Sequence, residues 1–271
     1  MKDRTVVVTG AASGFGEGLA HGFASRGARL VCADVNEAGA AEVARVLRET
    51  YGASAVGVAV DVTDEASVEA MVDRAVDEYG GLDVMISCAG VLKAGGVEDF
   101  EKKDFEFVTS VNYTGFFLCA KYAARVMKRQ RVSGATGIYD IVQINSKSGL
   151  VGSKANFAYA GGKFGGVGLT QSFALELAEY GIKVNAICPG NLLDGPLWSD
   201  PEKGLFRQYL DAGKVKGAKT VEDVRKHYES LVPLGRGCRI EDVVRAAVYV
   251  VEQEYETGQA VPVTGGQVML A

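Results

Sequence analysis

The chain has 271 residues, with Lys+Arg 29 against Asp+Glu 34 and a net charge of −5, long enough to bury a large core and near the upper limit for one core. No basic run suited to a nucleic-acid backbone is present, so nucleic acid is set aside and a small-molecule partner is expected. The opening MKDRTVVVTG is charged and then strand-like, no apolar stretch nears the roughly 18 residues of a membrane span, and a cytoplasmic protein without a membrane partner is expected.

Short β-rich runs alternate with helical patterns from the start. TVVVT is followed by a helix to about Arg26, ARLVCAD by a helix from Glu37 to Tyr51, and ASAVGVAV by a helix from Asp64 to Tyr79. DVMIS then precedes a long helix from about Asp104 to Lys128, GIYDIVQI a helix from Phe157 to Tyr180, and IKVNAIC an irregular segment. A helix near Ile240 to Glu252 and the run AVPVT close the pattern. The strands are continuous apolar runs instead of alternations, as in a parallel sheet covered on both faces. The expected class is therefore doubly wound α/β, one domain over residues 1–271. Residues 191–235 differ in texture, holding the single Trp and three of the five prolines, and read as an insertion placed to cover a ligand. The five cysteines are dispersed, without C-x-x-C spacing and with two histidines in the chain, so reduced core residues and no metal site are expected.

TGAASGFG, Thr9 to Gly16, follows the first strand and opens the first helix. Gly10, Gly14 and Gly16 permit a tight turn and close backbone approach, and the helix N-terminus offers N–H groups to a pyrophosphate, with Ser13 and Phe15 in the same loop. Asp34 ends the second strand, twenty residues after Gly14, where a carboxylate accepts both hydroxyls of an adenosine ribose and repels a 2′-phosphate. NAD is favoured over NADP. The bland alternative is that Asp34 serves the start of the next helix.

Tyr159 and Lys163 lie four residues apart on a helical pattern, so both project from one face. A free phenol titrates near about 10, and moving it to neutrality needs about 4 kcal/mol of differential stabilisation. Lys163 and an oxidised nicotinamide are expected to supply that together. Ser146 stands thirteen residues upstream, at the end of the IVQI strand. With the glycine loop, this Ser–Tyr–Lys set resembles the short-chain dehydrogenase/reductase family over nearly the whole chain.

The resemblance implies a Rossmann fold with a mostly parallel seven-stranded sheet, NAD as cofactor, and catalytic roles for Asn112, Ser146, Tyr159 and Lys163. It further implies cofactor contacts from Asp61 and Val62 in VDVTD, Ala89 and Gly90 in SCAG, and Pro189 and Gly190 in CPGN. Ser87-Cys88 stands where the family usually has two asparagines, losing amide groups that stabilise the central strand, and Phe15 replaces a common aliphatic residue.

AGGKFGGVG places five glycines in a helical segment, at about 0.8 to 1 kcal/mol each against alanine, so something comes close to this helix. Packing on the sheet would explain it, as would crowding by cofactor and a symmetry-related helix. The second is expected, since the family commonly forms dimers and tetramers there.

Lys93, Lys147 and Lys154 fall on loops at the sheet's C-terminal edge, where they are either solvated or partners for an anionic substrate such as a phosphate. Within the family, INSKSG, VGSK, FGGVGLTQS and VTGGQVM resemble the branch that oxidises hexitol phosphates, which implies sorbitol 6-phosphate going to fructose 6-phosphate. The resemblance weakens across residues 194–230, the expected substrate lid. Ser148 and Asn191 are expected on substrate hydroxyls. Two other readings are a dehydrogenase of an uncharged polyol, ketone or acyl-thioester, and a non-catalytic NAD-sensing protein.

Overall fold

Strand β1 (Thr5–Thr9) is buried along its whole length, as a Val-rich strand covered on both faces must be. The structure, a computed structural model, describes residues 1–211 and 213–269. β1 pairs with β2 (Arg29–Asp34) on one side and β4 (Val84–Ser87) on the other, Val7 facing Val31 and Met85. β3 (Ala55–Ala59), β5 (Tyr139–Ile144), β6 (Ile182–Pro189) and β7 (Ala260–Val263) complete the order β3-β2-β1-β4-β5-β6-β7 among the described residues. Every pairing is parallel. The strand order reverses between β1 and β4, which opens a crevice at the C-terminal ends of those strands. This is the doubly wound Rossmann architecture expected from the sequence.

Local chemistry sets the helix ends. α1 (Gly14–Ala24) follows the glycine loop, and Asn36 caps α2 (Glu37–Tyr51) by accepting from the Gly39 amide. Asp64 caps α3 (Glu65–Tyr79) through the Ala66 and Ser67 amides, and left-handed Gly80 ends it. The buried face of α3 is Val68, Met71, Val72 and Ala75, the i, i+3, i+4, i+7 spacing of an amphipathic helix. α10 (Ile240–Glu252) packs on α1, where a Cβ on Gly18 would come within 2.1 Å of Ile240 and one on Gly22 within 2.4 Å of Val244.

Three expectations are revised. The long helix from about Asp104 divides into α4 (Lys102–Thr109) and α5 (Gly115–Val132), joined by a π-turn over Ser110–Thr114. Single π-turns inside helices frequently mark functional positions. The glycines of α6 (Phe157–Leu177) are explained in part by packing within the chain: a Cβ on Gly165 would lie 2.7 Å from the Tyr113 ring, and one on Gly166 2.5 Å from the Gln143 amide. Gly161 and Gly168 would meet nothing within 4 Å.

The segment after β6, expected to be irregular, forms three short helices, α7 (Pro196–Ser199), α8 (Leu205–Asp211) and α9 (Val221–Ser230). They share a small core of their own, with the Trp198 ring 4.8 Å from Tyr228 and 5.1 Å from Phe206. Aromatic burial, worth about 150–250 Å² per ring, gives this segment order that its prolines conceal. Among the described residues no helix is long and apolar enough to cross a membrane.

Candidate active site

One cleft of about 940 Å³ lies at the C-terminal ends of the strands. Of the site residues expected from the sequence, all line it except Asn112 and Lys154. The glycine loop is shaped by sterics. Gly10 and Gly14 have φ of +67° and +60°, and a Cβ on Gly16 would sit 1.9 Å from the Gly10 carbonyl oxygen. Ser13, the N-cap of α1, makes no side-chain capping bond, so its hydroxyl is not committed to the helix. Asp34 accepts from the Ala12 amide at 3.0 Å and the Asn36 amide at 2.9 Å, one bond to each oxygen. The carboxylate thus ties the loop to the start of α2 and keeps further acceptor capacity toward the cleft. The bland and functional readings of Asp34 are compatible.

Asp61 anchors its own turn by accepting from the Thr63 amide and hydroxyl at 2.9 and 2.7 Å, which sets Val62 against the cleft wall. The asparagine amides missing at Ser87-Cys88 are replaced from another strand: the Thr9 hydroxyl accepts from the Cys88 and Ala89 amides at 3.0 and 3.2 Å. Phe15 packs against the core beneath α1 and α10.

Ser146 follows β5 and caps the turn Lys147–Gly149, its Oγ accepting from the Ser148 amide at 3.1 Å. Its own amide donates to Asn145 Oδ1 at 2.8 Å. Across from it, the first turns of α6 carry Tyr159 and Lys163 on one face, with Lys163 Nζ 5.6 Å from the centroid of the Tyr159 ring. Lys163 is buried, and Nζ donates to the Ile144 carbonyl at 2.8 Å. Burial drives its pKa down to about 8. The Tyr159 phenol is pushed up, first by burial, while a hydrogen bond with Ser146 opposes the rise. Burial sets the direction of the Tyr159 shift, so the expected depression is not a property of these side chains alone.

Asn112 sits in the π-turn outside the cleft lining and is buried. Its Nδ2 donates to the Val91 and Val108 carbonyls at 2.7 and 2.9 Å, and its Oδ1 accepts from the Val91 amide at 3.3 Å. Both amide hydrogens are used, so a proton path past Asn112 would have to use main-chain groups.

The lysines separate by environment. Lys93 is paired with Asp104. Lys154 is exposed and does not line the cleft. Lys147 is part-buried, has no carboxylate partner among the described residues, and donates to Gln267 Oε1 at 2.8 Å. Burial brings its pKa down to about 8. Sequence reasoning missed several lining residues. Lys214, from the insertion, lies with Nζ 3.7 Å over the Tyr209 ring, and no local signal marks it. Trp198, Tyr209 and Tyr228 form the aromatic wall beside it. Ser153 and Asn156 line the cleft from the turn before α6, where no helical periodicity marks them.

A doubly wound sheet, a glycine cradle at its switch point, and a Ser–Tyr–Lys set across the crevice define a nucleotide-dependent oxidoreductase class. The family model described as short chain dehydrogenase matches residues 4–200, and the chain belongs to that family. It is 42% identical to the sorbitol-6-phosphate 2-dehydrogenase of Escherichia coli (strain K12), over 98% of this chain and 99% of that protein. The crystal structure of sorbitol-6-phosphate 2-dehydrogenase from Erwinia amylovora superposes with a TM-score of 0.89 at 42% identity, covering 98% of this chain and 100% of that one. The 3-ketoacyl-(acyl-carrier-protein) reductase from Brucella melitensis, complexed with NADH, has a TM-score of 0.83 at 27% identity, covering 98% of each chain.

Proposed function

We propose that this enzyme oxidises the C2 hydroxyl of a phosphorylated hexitol, sorbitol 6-phosphate, to fructose 6-phosphate with NAD. The observation that carries the reading is the convergence of Ser146, Tyr159, Lys163 and the carboxylate-free Lys147 in one cleft, supported by the 42% identity to sorbitol-6-phosphate 2-dehydrogenase. The cradle fits a dinucleotide: the space a Cβ at Gly16 would fill is the space the loop needs, and Asp34 stands at the end of β2 with no arginine among the described residues that line the cleft. Gly10, Ser13, Gly14, Phe15 and Gly16 would hold the pyrophosphate side, Asp61 and Val62 the adenine, and Ala89, Gly90, Pro189 and Gly190 the nicotinamide side. Bound there, the oxidised cofactor would supply a hydride acceptor and a positive charge.

Ser146 holds the reacting oxygen, and Tyr159 takes its proton as general base. Lys163 keeps an ammonium next to the phenol, which favours the phenolate, and Asn112 braces the π-turn behind it. Ser148 and Asn191 face substrate hydroxyls. Lys147, fixed by Gln267, takes the phosphate, and Lys214 approaches from the insertion, which acts as a lid over about 191–235. Lys93 is held by Asp104 and Lys154 lies off the cleft, so neither is needed for this role.

The test is cofactor reduction at saturating NAD with sorbitol 6-phosphate, sorbitol and mannitol 1-phosphate, repeated with NADP. A strong preference for sorbitol 6-phosphate with NAD supports the assignment. Equal turnover of sorbitol removes the phosphate role, and equal use of NADP removes the role of Asp34. Tyr159→Phe is expected to cost about 10²–10⁴-fold in turnover while dinucleotide binding survives. A homodimer or homotetramer through α6 is supported by exposed Phe164 and Leu175 beside Gly161 and Gly168 on its outer face. Phe164→Glu should lower the mass seen by light scattering, and an unchanged mass would exclude this face.

A further inference from the structure

At the entry of α6, Asn156 holds the N-cap position without capping: its side chain accepts no backbone N–H. Its Nδ2 donates to the Ser153 hydroxyl at 3.3 Å. Its Oδ1 is buried, with no donor among the described residues. Buried side-chain oxygens are nearly always paired, because the hydration they lose is otherwise not replaced. Asn156 is three residues before Tyr159, one helical turn, and seven before Lys163, two turns. Asn156 and Ser153 line the same cleft as Ser146 and Tyr159. The unpaired amide end therefore belongs to the wall of the same cleft as the reacting groups.

We infer that Asn156, supported by Ser153, is a specificity-determining position that hydrogen-bonds a substrate hydroxyl next to the carbon being oxidised. A hydroxyl both donates and accepts, so it satisfies the amide in either of its two orientations. This contact selects a polyol over a simple secondary alcohol or ketone, which the Ser–Tyr–Lys set alone cannot do, since it touches only the reacting oxygen. A site built around such a bond disfavours the analogue lacking the hydroxyl, because the amide is then left unpaired. The inference rests on the polyol reading above and is independent of the phosphate.

The test is a cycle of protein variant against substrate. Wild type, Asn156→Ala and Asn156→Leu are assayed with sorbitol 6-phosphate and with its 1-deoxy and 3-deoxy analogues. Each variant should lose about tenfold in kcat/KM on the parent, the size of one neutral hydrogen bond, and the loss should shrink below about threefold on one of the two analogues. A role confined to the entry of α6 would instead lower all three substrates equally, and that result, or no loss on any of them, overturns the inference. If wild type shows no preference for sorbitol 6-phosphate over sorbitol, the phosphate assignment falls. The same cycle with sorbitol and its 1-deoxy and 3-deoxy analogues then still reads Asn156. Should neither variant fold, Asn156→Ser and Asn156→Thr replace them in the same cycle, and the same outcomes support or overturn the contact.

Discussion

Replacing Lys163 with methionine is expected to stabilise the fold while abolishing turnover. Burial moves the Lys163 pKa from 10.5 down to about 8, and such a drop corresponds to about 3 kcal/mol held against the folded state wherever the ammonium is charged. Against this stands the bond from Nζ to the Ile144 carbonyl at 2.8 Å, whose loss costs about 1–2 kcal/mol. Methionine has a similar length and adapts to an apolar site. The balance is a gain of about 1–2 kcal/mol at neutral pH, a rise in Tm of roughly 2–8 °C for a chain of this size.

The pH dependence fixes the sign. The folded pKa lies below the unfolded value, so the unfolded chain keeps the proton more tightly between about pH 8 and 10.5. The cost is fully present below about pH 8 and fades as the pH rises through that window. Denaturant unfolding of wild type and Lys163→Met at pH 7 and at about pH 9.5, beside NAD turnover, measures both. The stability difference should fall by about 2 kcal/mol at the higher pH, which brings it to about zero or reverses it slightly. A variant less stable than wild type at pH 7, or a difference that does not narrow, would refute the argument that burial strains this lysine.

Other outcomes follow from the same geometry. Gly16→Ala places a Cβ 1.9 Å from the Gly10 oxygen, and displacing the loop should cost about 3 kcal/mol, or roughly 100-fold in dinucleotide affinity by fluorescence titration. Thr9→Val leaves the Cys88 and Ala89 amides without their acceptor, so a loss of about 2 kcal/mol or more and a fall in Tm of at least roughly 4 °C are expected in calorimetry. Lys147 loses its charge as the pH climbs through about 8; KM for sorbitol 6-phosphate should rise about tenfold or more across that range, while KM for sorbitol should not follow.

Much of the architecture was readable along the chain because its causes are local. Continuous apolar runs in β1, β4 and β6 made parallel strands legible, and the helices read from Glu37 to Tyr51 and from Asp64 to Tyr79 hold to within a residue. Tyr159 and Lys163 share a face by helical periodicity, and Gly16 is forced by a clash with Gly10 in the same short loop. The glycine loop, Asp34 and the Ser–Tyr–Lys set were therefore visible as a pattern before any contact was known.

What folding alone decided are the properties that depend on neighbours distant in sequence. Whether a lysine is a binding group turns on what it meets: Asp104 for Lys93, open solvent for Lys154, and Gln267, 120 residues away, for Lys147. The same holds for Thr9, which supplies an acceptor to the residues after β4 from the neighbouring strand β1, and for Lys214, brought to the cleft by a segment whose order comes from aromatic packing. Desolvation set the direction of the Tyr159 and Lys163 pKa shifts. Charge, burial and hydrogen-bond saturation are sums over surroundings, and a linear sequence specifies those surroundings only once the chain has closed on itself.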